Sequence, residues 1–600
     1  MEIVLGIHDG HDSSAAVLVN GVIVAAAQEE RYSGLKVDCG FPRLAIQAVL
    51  RQAGISIKDV DHVAVSTERP NPLVMKLKRE ANFSVDDYIY EQHAFWKPLR
   101  YEDKSVDYWS LFKDRKDFTF DNGYQLDDYL SYYLTPEQRD QAARIRLDNI
   151  ADLLGADRAK VHAITHESCH IAYAYFASPL RGEVLSLTCE SMGDHSNATV
   201  ARISEKGLTF LDTTTENYLA RLYRYITLLL GLKPVHHEYK VMGLAPYANE
   251  YEQAKSYKVF DGLQKIDGIK LRLGNKPSDM FFHYQEALSG HRFDGIAGAL
   301  QAYTEDVLCE WLGNCIRETG LNRVVFSGGV AQNIKACRAM AQLDAVEDFF
   351  VSPAAGDTSI SIGACYWAYW QNQLACGGDV GKIAPLDNIY LGTEFSDEEG
   401  KAYLAEVRAG EKYDIVENAS PDRVAALLAD GDILARCSGR MEFGMRALGN
   451  RSILADPRRH DTVRKINTAI KFRDFWMPFT PSVLAERAGD YLLNPKGLRS
   501  PYMAMAFDST EMGRRDLVAA LHPADFTGRP QLLEQRRNPG YHALISAFEK
   551  ITGVGAVLNT SFNLHGHPIV LGPKEAYFTL ENSDLDGVVL GDTLVQRRKA

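Results

Sequence analysis

Six hundred residues exceed one ordinary domain; at about 150 residues per domain the length asks for two large units or about four smaller ones. With 46% hydrophobic and 24% charged residues, the chain has ample material for a core and does not read as disordered. A formal net charge of −13 excludes broad binding of large nucleic acids as the leading function, while leaving room for a local cationic cleft.

The nine cysteines are scattered and never form Cys-x-x-Cys, which argues against a disulfide framework and a zinc ribbon. They read as small buried hydrophobes. The first residues lack a basic stretch ahead of an apolar run, and no run approaches the roughly 20 residues of a membrane span. A cytoplasmic location without membrane contact is expected.

An apolar strand at 3–7 leads into the polar loop His8-Asp9-Gly10-His11-Asp12-Ser13-Ser14. Alternating runs at 15–19 and 22–26 flank Asn20-Gly21, a strong hairpin signal. Residues 70–150 form an insertion rich in Tyr and Trp, including Tyr88, Tyr108, Tyr124, Tyr129, Trp96 and Trp109. It reads as helical and surface-docked, a lid or an acceptor-binding element. Near 184 the opening plan recurs: a strand at 184–189, the polar loop from Glu190 to Ser196, a strand at 198–203, the turn Glu205-Lys206-Gly207 and a strand at 208–211. An internal duplication is therefore expected. Strands at 324–326 and 349–351 run into Ser327-Gly328-Gly329-Val330-Ala331-Gln332-Asn333 and Pro353-Ala354-Ala355-Gly356-Asp357, each followed by a helix. That is α/β architecture, with ligands at the strand C-termini. A Gly/Asp-rich stretch at 377–385 reads as a linker, and a second α/β region follows from about 392.

His166-Glu167-Ser168-Cys169-His170 places two imidazoles on one helix face, four residues apart, where they can share a metal ion. Glu190 and Asp357, in the polar loops, are placed to add oxygen ligands. A shell of imidazoles and carboxylates suits iron, zinc or manganese without choosing among them. Ser327, Gly328 and Gly329 can bring backbone N–H groups close to a phosphate. Residues 438–452 hold Arg440, Arg446 and Arg451 between glycines, and Lys471, Arg473 and Arg529 add cations. Arginine forks bind phosphate or carboxylate at two points. Asn559-Thr560-Ser561-Phe562-Asn563 reads as a polar loop after a buried strand at 555–558, suited to hydrogen-bonding a nucleotide or small substrate.

Nine ordered blocks resemble the O-carbamoyltransferases of the nodulation and antibiotic type, whose members act on nodulation factors, tobramycin, cephamycins and saxitoxin. The blocks are residues 11–16; Glu29-Glu30-Arg31-Tyr32 with Lys36; His166 and His170; residues 238–247, which include Lys240; 327–333, ending at Asn333; 353–357; 438–452, which include Glu442; 559–563; and 566–570. They span nearly the whole chain and leave out the insertion.

The resemblance implies a duplicated actin-like domain of the Kae1 type over 1–385 and a YrdC-like adenylating domain over 390–600. It implies two reactions. Carbamoyl phosphate and ATP, with Mg2+, give carbamoyl-adenylate in the second domain. The carbamoyl group then passes to an acceptor hydroxyl in the first, with His166, His170, Glu190 and Asp357 around Fe2+ or another divalent transition metal. The cations Arg440, Arg446, Arg451, Lys471, Arg473 and Arg529 would hold the polyanions, with Lys36, Lys240, Glu442, Asn333, Asn559 and Ser561 as further binding residues. His11, beside Asp12, is the candidate general base, on the expectation of an imidazole near its ordinary pKa. The acceptor is expected to be a small hydroxylated molecule, a modified nucleotide included; a homodimer is left open. Two departures from the family pattern stand out. Glu190-Ser191-Met192-Gly193-Asp194 replaces Asp-Gly-x-Gly-Asp/Glu, and His565 stands in Asn563-Leu564-His565-Gly566-His567-Pro568 where relatives often carry arginine. Two other classes compete: a zinc peptidase built on His166, Glu167 and His170, and a non-enzymatic actin-like nucleotide-binding module.

Overall fold

A computed structural model of the chain describes residues 1–69, 73–112, 114, 135–471 and 474–598. Two compact units form: residues 1–24 with 37–385, and residues 25–36 with 386–600. The short N-terminal piece joins the second unit through hydrogen bonds that carry it there. Ala26 N–H donates to Leu391 O (3.1 Å), the Arg31 guanidinium to Gly444 O (2.5 Å), and the Tyr32 hydroxyl pairs with Thr393 (2.8 Å). Lys36 is thereby an exposed residue of the second unit.

Residues 1–24 and 37–385, with residues 25–28 continuing one edge strand, form two five-stranded sheets built to one plan. In the first, β1 (Ile3–His8), β2 (Ser14–Val19) and β3 (Val22–Gln28) form an antiparallel meander, and β4 (His62–Ser66) and β5 (Val161–Ile164) add parallel to β1, giving the order β3-β2-β1-β4-β5. Asn20 and Gly21 take positive φ (48° and 86°), the backbone a two-residue hairpin turn requires. In the second, β6 (Val184–Cys189), β7 (Ala198–Ser204) and β8 (Gly207–Thr214) repeat the meander. After a small hairpin, β9 (Gln264–Asp267) with β10 (Lys270–Leu273), the strands β11 (Arg323–Ser327) and β12 (Asp348–Val351) add parallel to β6. The order β12-β11-β6-β7-β8 is the first sheet read backwards. The duplication expected from the sequence is present in the strand topology.

Each sheet is followed by one helix, His166–Ala177 after β5 and Ile360–Cys376 after β12, and the two pack backbone to backbone. A Cβ on Gly363 would lie 2.1 Å from Cys169 O, so only glycine permits this approach. β1 and β6 are buried along their whole length, as apolar strands covered on both faces should be.

The described part of the insertion is helical: Leu73–Glu80, Val85–Glu91, Lys97–Tyr101, Tyr108–Leu111 and Pro136–Leu154. Tyr88, Phe95, Tyr108 and Phe112 pack with Val74, Leu77 and Phe83 into a core that they share with Leu228 and Phe281 from outside the insertion. Tyr124, Tyr129, Tyr132 and Tyr133 lie outside the described residues.

The second unit carries an eight-stranded mixed sheet among its described residues, in the order Tyr413–Val416, Thr593–Arg597, Gly587–Leu590, Leu434–Cys437, Arg451–Ala455, Ala556–Ser561, Thr480–Leu484, Gln531–Leu533. Ile453, Leu558, Phe562, Val588 and Val595 belong to its core. The expected loop at 559–561 is instead strand: Asn559, Thr560 and Ser561 pair with Leu454, Ile453 and Ser452. Their polar side chains misled the sequence reading, because period-2 patterning fails in a strand that carries polar residues at its end. No helix among the described residues is long and apolar enough to cross a membrane.

Candidate metal and group-transfer site

The helix His166–Ala177 begins at Thr165, whose hydroxyl accepts the Ser168 N–H, and it is buried throughout. Asp194, in the loop after β6, accepts the His166 N–H (2.7 Å) and the N–H groups of Glu68 and Arg69 (2.8 and 3.0 Å). One carboxylate thus ties the helix start, the end of β4 and the second polar loop together, near the positive end of the helix dipole. Glu167 is held by the same loop. Its Oε1 accepts from the N–H of His195 (2.6 Å), the N–H of Ser196 (2.5 Å) and the Ser196 hydroxyl (3.2 Å). That commits the would-be peptidase base to fixing backbone, and the peptidase reading is not favoured.

Glu190, at the end of β6, spans both imidazoles: Oε2 lies 2.8 Å from His166 Nε2 and Oε1 lies 2.8 Å from His170 Nε2. Asp357 Oδ1, contributed from the loop after β12, lies 3.7 and 3.6 Å from the same nitrogens. One donor atom from each of the four residues falls within 4.8 Å of the others. Gly328 allows this closeness. With φ at 100°, it sits where a Cβ would meet Glu190 Cγ at 2.8 Å.

The cluster fits a metal ion by direction as well as distance. His170 Nδ1 lies 3.1 Å from Ser327 Oγ, which turns Nε2 inward. That Nε2 is buried and, despite its 2.8 Å separation from Glu190, makes no well-aligned hydrogen bond. Burial opposes charge on His166, yet Glu190 and Asp357 outweigh it and raise the imidazole to about 10. His170 is raised on the same balance, with Glu190 the main opposing charge. Burial alone would raise Glu190 and Asp357, but the facing imidazoles win and both carboxyls fall below their ordinary range. Asp357 is 31% exposed while His170 is fully buried, so the cluster opens on its Asp357 side.

The first polar loop lies beside it. His8 Nδ1 meets Ser66 Oγ and Nε2 meets His11 O, both at 3.0 Å. Asp9 forms a buried two-point ion pair with Arg146 (2.6 Å twice), which also donates to Thr67 O (3.0 Å) and Thr67 Oγ1 (3.2 Å). Asp12 is buried in left-handed backbone (φ 65°). Burial pushes His11 down to about 3, with Arg79 the strongest charge acting in the same direction. The expected near-ordinary pKa is therefore not what the fold supplies; His11 is a neutral imidazole.

The remaining sequence-predicted residues separate into committed and open ones. Asn333 caps the helix Ile334–Gln342 and exchanges hydrogen bonds with Gln301. Gly329 has open space at its Cβ position, and Lys240 is buried. In the second unit, the Arg451 guanidinium donates to the carbonyls of Leu571, Gly439 and Asn450 (3.0, 3.1 and 2.9 Å), so it braces the 438–452 segment. Glu442 Oε1 accepts from the N–H groups of Leu448, Asn450 and Arg451 (2.7, 2.8 and 3.2 Å) and does the same. Lys471 Nζ is enclosed by Ser561 O, Asn563 O and Asn563 Oδ1 (2.5, 3.0 and 2.7 Å). Asn559 Nδ2 donates to Ser482 Oγ (2.9 Å), and its Oδ1 is buried without a partner. Arg440 donates to Leu391 O (2.7 Å); burial lowers its pKa against the pull of Glu394. Arg446 and Arg529 are partly exposed, and Arg473 lies outside the described residues.

Sequence reasoning missed Arg146, Asp194, Ser66 and Arg79. Asp194 closes the run from Glu190 already singled out, while the other three sit in no recognisable motif, and Arg146 meets Asp9 across 137 positions of sequence.

Two family models cover the chain in order: one described as "Carbamoyltransferase N-terminus" matches residues 3–366, and one described as "Carbamoyltransferase C-terminus" matches residues 425–597. The uncharacterized protein sll1178 of Synechocystis is 31% identical over 97% of this chain and 94% of its own length. Nodulation protein NolNO of Sinorhizobium fredii is 28% identical over 98% of this chain and 79% of its own. The 3'-hydroxymethylcephem-O-carbamoyltransferase of Amycolatopsis lactamdurans is 29% identical over 45% of this chain and 48% of its own.

Proposed function

We infer the reaction from one premise: the chain belongs to the carbamoyltransferase family and is a carbamoyltransferase. It works as an ATP-dependent O-carbamoyltransferase in two steps. In the second unit, read as YrdC-like, water takes the phosphate from carbamoyl phosphate, leaving carbamate and inorganic phosphate, and the carbamate oxygen attacks the α-phosphorus of MgATP to give carbamoyl-adenylate and pyrophosphate. In the first unit, read as actin-like of the Kae1 type, an acceptor hydroxyl attacks the carbamoyl carbon, its proton leaves, and AMP departs. The acceptor is a small hydroxylated molecule, the class that the cephem-named relative acts on.

The observation that supports this reading most directly is the cluster of His166, His170, Glu190 and Asp357 at the C-terminal ends of the duplicated sheets. In such sites ligands collect at strand ends. A divalent metal ion held by these four residues would supply charge to bind the adenylate phosphate and polarise the bond to it. The chain's own groups do the rest. Ser327 fixes the His170 tautomer, Glu190 brackets both imidazoles, and the buried loops keep water from the activated carbamoyl group. His11 Nε2, buried and without a partner, is the proton acceptor. Arg440, Arg446 and Arg529 in the second unit take the polyanions, while Arg451 and Glu442 shape the 438–452 segment and Lys471 holds Ser561 and Asn563.

Incubation of the full chain with ATP, carbamoyl phosphate and a panel of hydroxylated acceptors tests the proposal. Pyrophosphate release that requires carbamoyl phosphate, and one carbamoyl group added to an acceptor, are expected. Pyrophosphate release indifferent to carbamoyl phosphate would overturn it.

A further inference from the structure

One cation of the first unit has no counter-charge. Arg79, on the helix Leu73–Glu80, is only 4% exposed. Its Nη1 lies against His236 Nε2, while Nε and Nη2 are buried with no hydrogen-bond partner. No carboxylate pairs with it among the described residues. The neighbouring Lys78 shows the usual solution, a buried ion pair with Glu91 at 2.7 and 2.8 Å. Glu238 feels the charge of Arg79 but makes no ion pair with it among the described residues. Its Oε1 accepts the Val235 N–H at 2.6 Å, and burial raises its pKa.

The same corner holds His11 Nε2, the other buried and unpartnered polar atom of the first polar loop. His11 bridges to Cys39, and a Cβ on Gly40 would lie 3.4 Å from Lys76 Nζ, one helical turn before Arg79. Arg79 is the strongest charge acting on both His11 and Cys39, and Asp357 of the metal cluster also acts on His11. A buried guanidinium with two idle N–H groups is costly unless an anion completes it. Its fork geometry matches the two oxygens of a carboxylate or phosphate.

We propose that Arg79 is the anchor of an acceptor subsite that takes an anionic group, a carboxylate or phosphate, and presents the acceptor's hydroxyl to His11. The proposal rests on the transfer reading given above.

Crystals of the full chain soaked in sodium selenate test it, with Arg79→Gln and Arg79→Lys as variants. Anomalous selenium density within hydrogen-bond reach of Arg79 Nε and Nη2 is expected in the parent protein. It should be absent in Arg79→Gln and weakened in Arg79→Lys, which keeps the charge without the fork. A parent crystal with no selenium at Arg79 overturns the subsite. A second soak with AMP separates the two sources of phosphate: AMP phosphate on Arg79 would assign the group to the adenylate and overturn the acceptor assignment. Carbamoyl-phosphate-dependent pyrophosphate release is measured on the parent protein in the absence of acceptor. Its absence from the parent enzyme would sink the reaction while leaving the anion subsite standing.

Discussion

The two halves of the first unit share a strand plan and have parted in chemistry. After β6 the loop supplies Glu190, which faces two imidazoles across 2.8 Å. After β1 the loop supplies Asp9, which faces a guanidinium across 2.6 Å. At the end of β11 a serine holds a histidine nitrogen, Ser327 to His170; at the end of β4 another does, Ser66 to His8. One half gathers ligands around a common point. The other locks a loop in place and leaves His11 Nε2 idle beside it. Duplication fixed where side chains can meet, and the side chains then settled what each meeting does.

Breaking the locked half should cost most in stability. Arg146→Met takes the guanidinium from the buried Asp9, and about 3–5 kcal/mol of unfolding free energy should be lost in chemical denaturation. Asp9→Leu combined with Arg146→Met should regain most of it. If the double variant is no better than the single, the pair is not what holds the loop. Opening the ligand half should cost most in transfer. His170→Ala should empty the cluster and lower carbamoyl transfer by about a hundredfold or more, while pyrophosphate release continues. Equal loss in both half-reactions would make His170 merely structural. Ser327→Ala touches the ligand only through its tautomer and should weaken metal binding by about tenfold, read from metal content after dialysis. Glu167→Gln keeps the accepting oxygen and should leave transfer within about twofold. A collapse of transfer there would reopen a catalytic role for Glu167.

Much of this was legible in the sequence because it is local. The strands at 3–7 and 184–189, the Asn20-Gly21 turn and the repeated plan come from short-range patterning. So does the His166/His170 pair, which needs only helical periodicity to share a face. The rest depends on partners far along the chain. Nothing near Arg146 announces Asp9, and nothing near residues 25–36 announces that they join the second unit. The arginine cluster shows another limit. Composition counts Arg451 as a cation awaiting an anion, but its donors are spent on backbone carbonyls. Whether an arginine is a ligand or a brace is decided by which acceptors surround it, and those belong to the fold.

The contact at Gly363 sets a tolerance on the candidate metal cluster. His166 and His170 ride on one helix, and Asp357 stands at the foot of the other, so the gap between nitrogen and oxygen donors is fixed where the two backbones touch. A frame locked by main-chain atoms cannot widen or shrink to suit its guest. The cluster should therefore discriminate among ions by radius, accepting a narrow band of sizes with little reorganisation. A single methyl group, introduced as Gly363→Ala against the backbone of Cys169, should shift which ion it prefers.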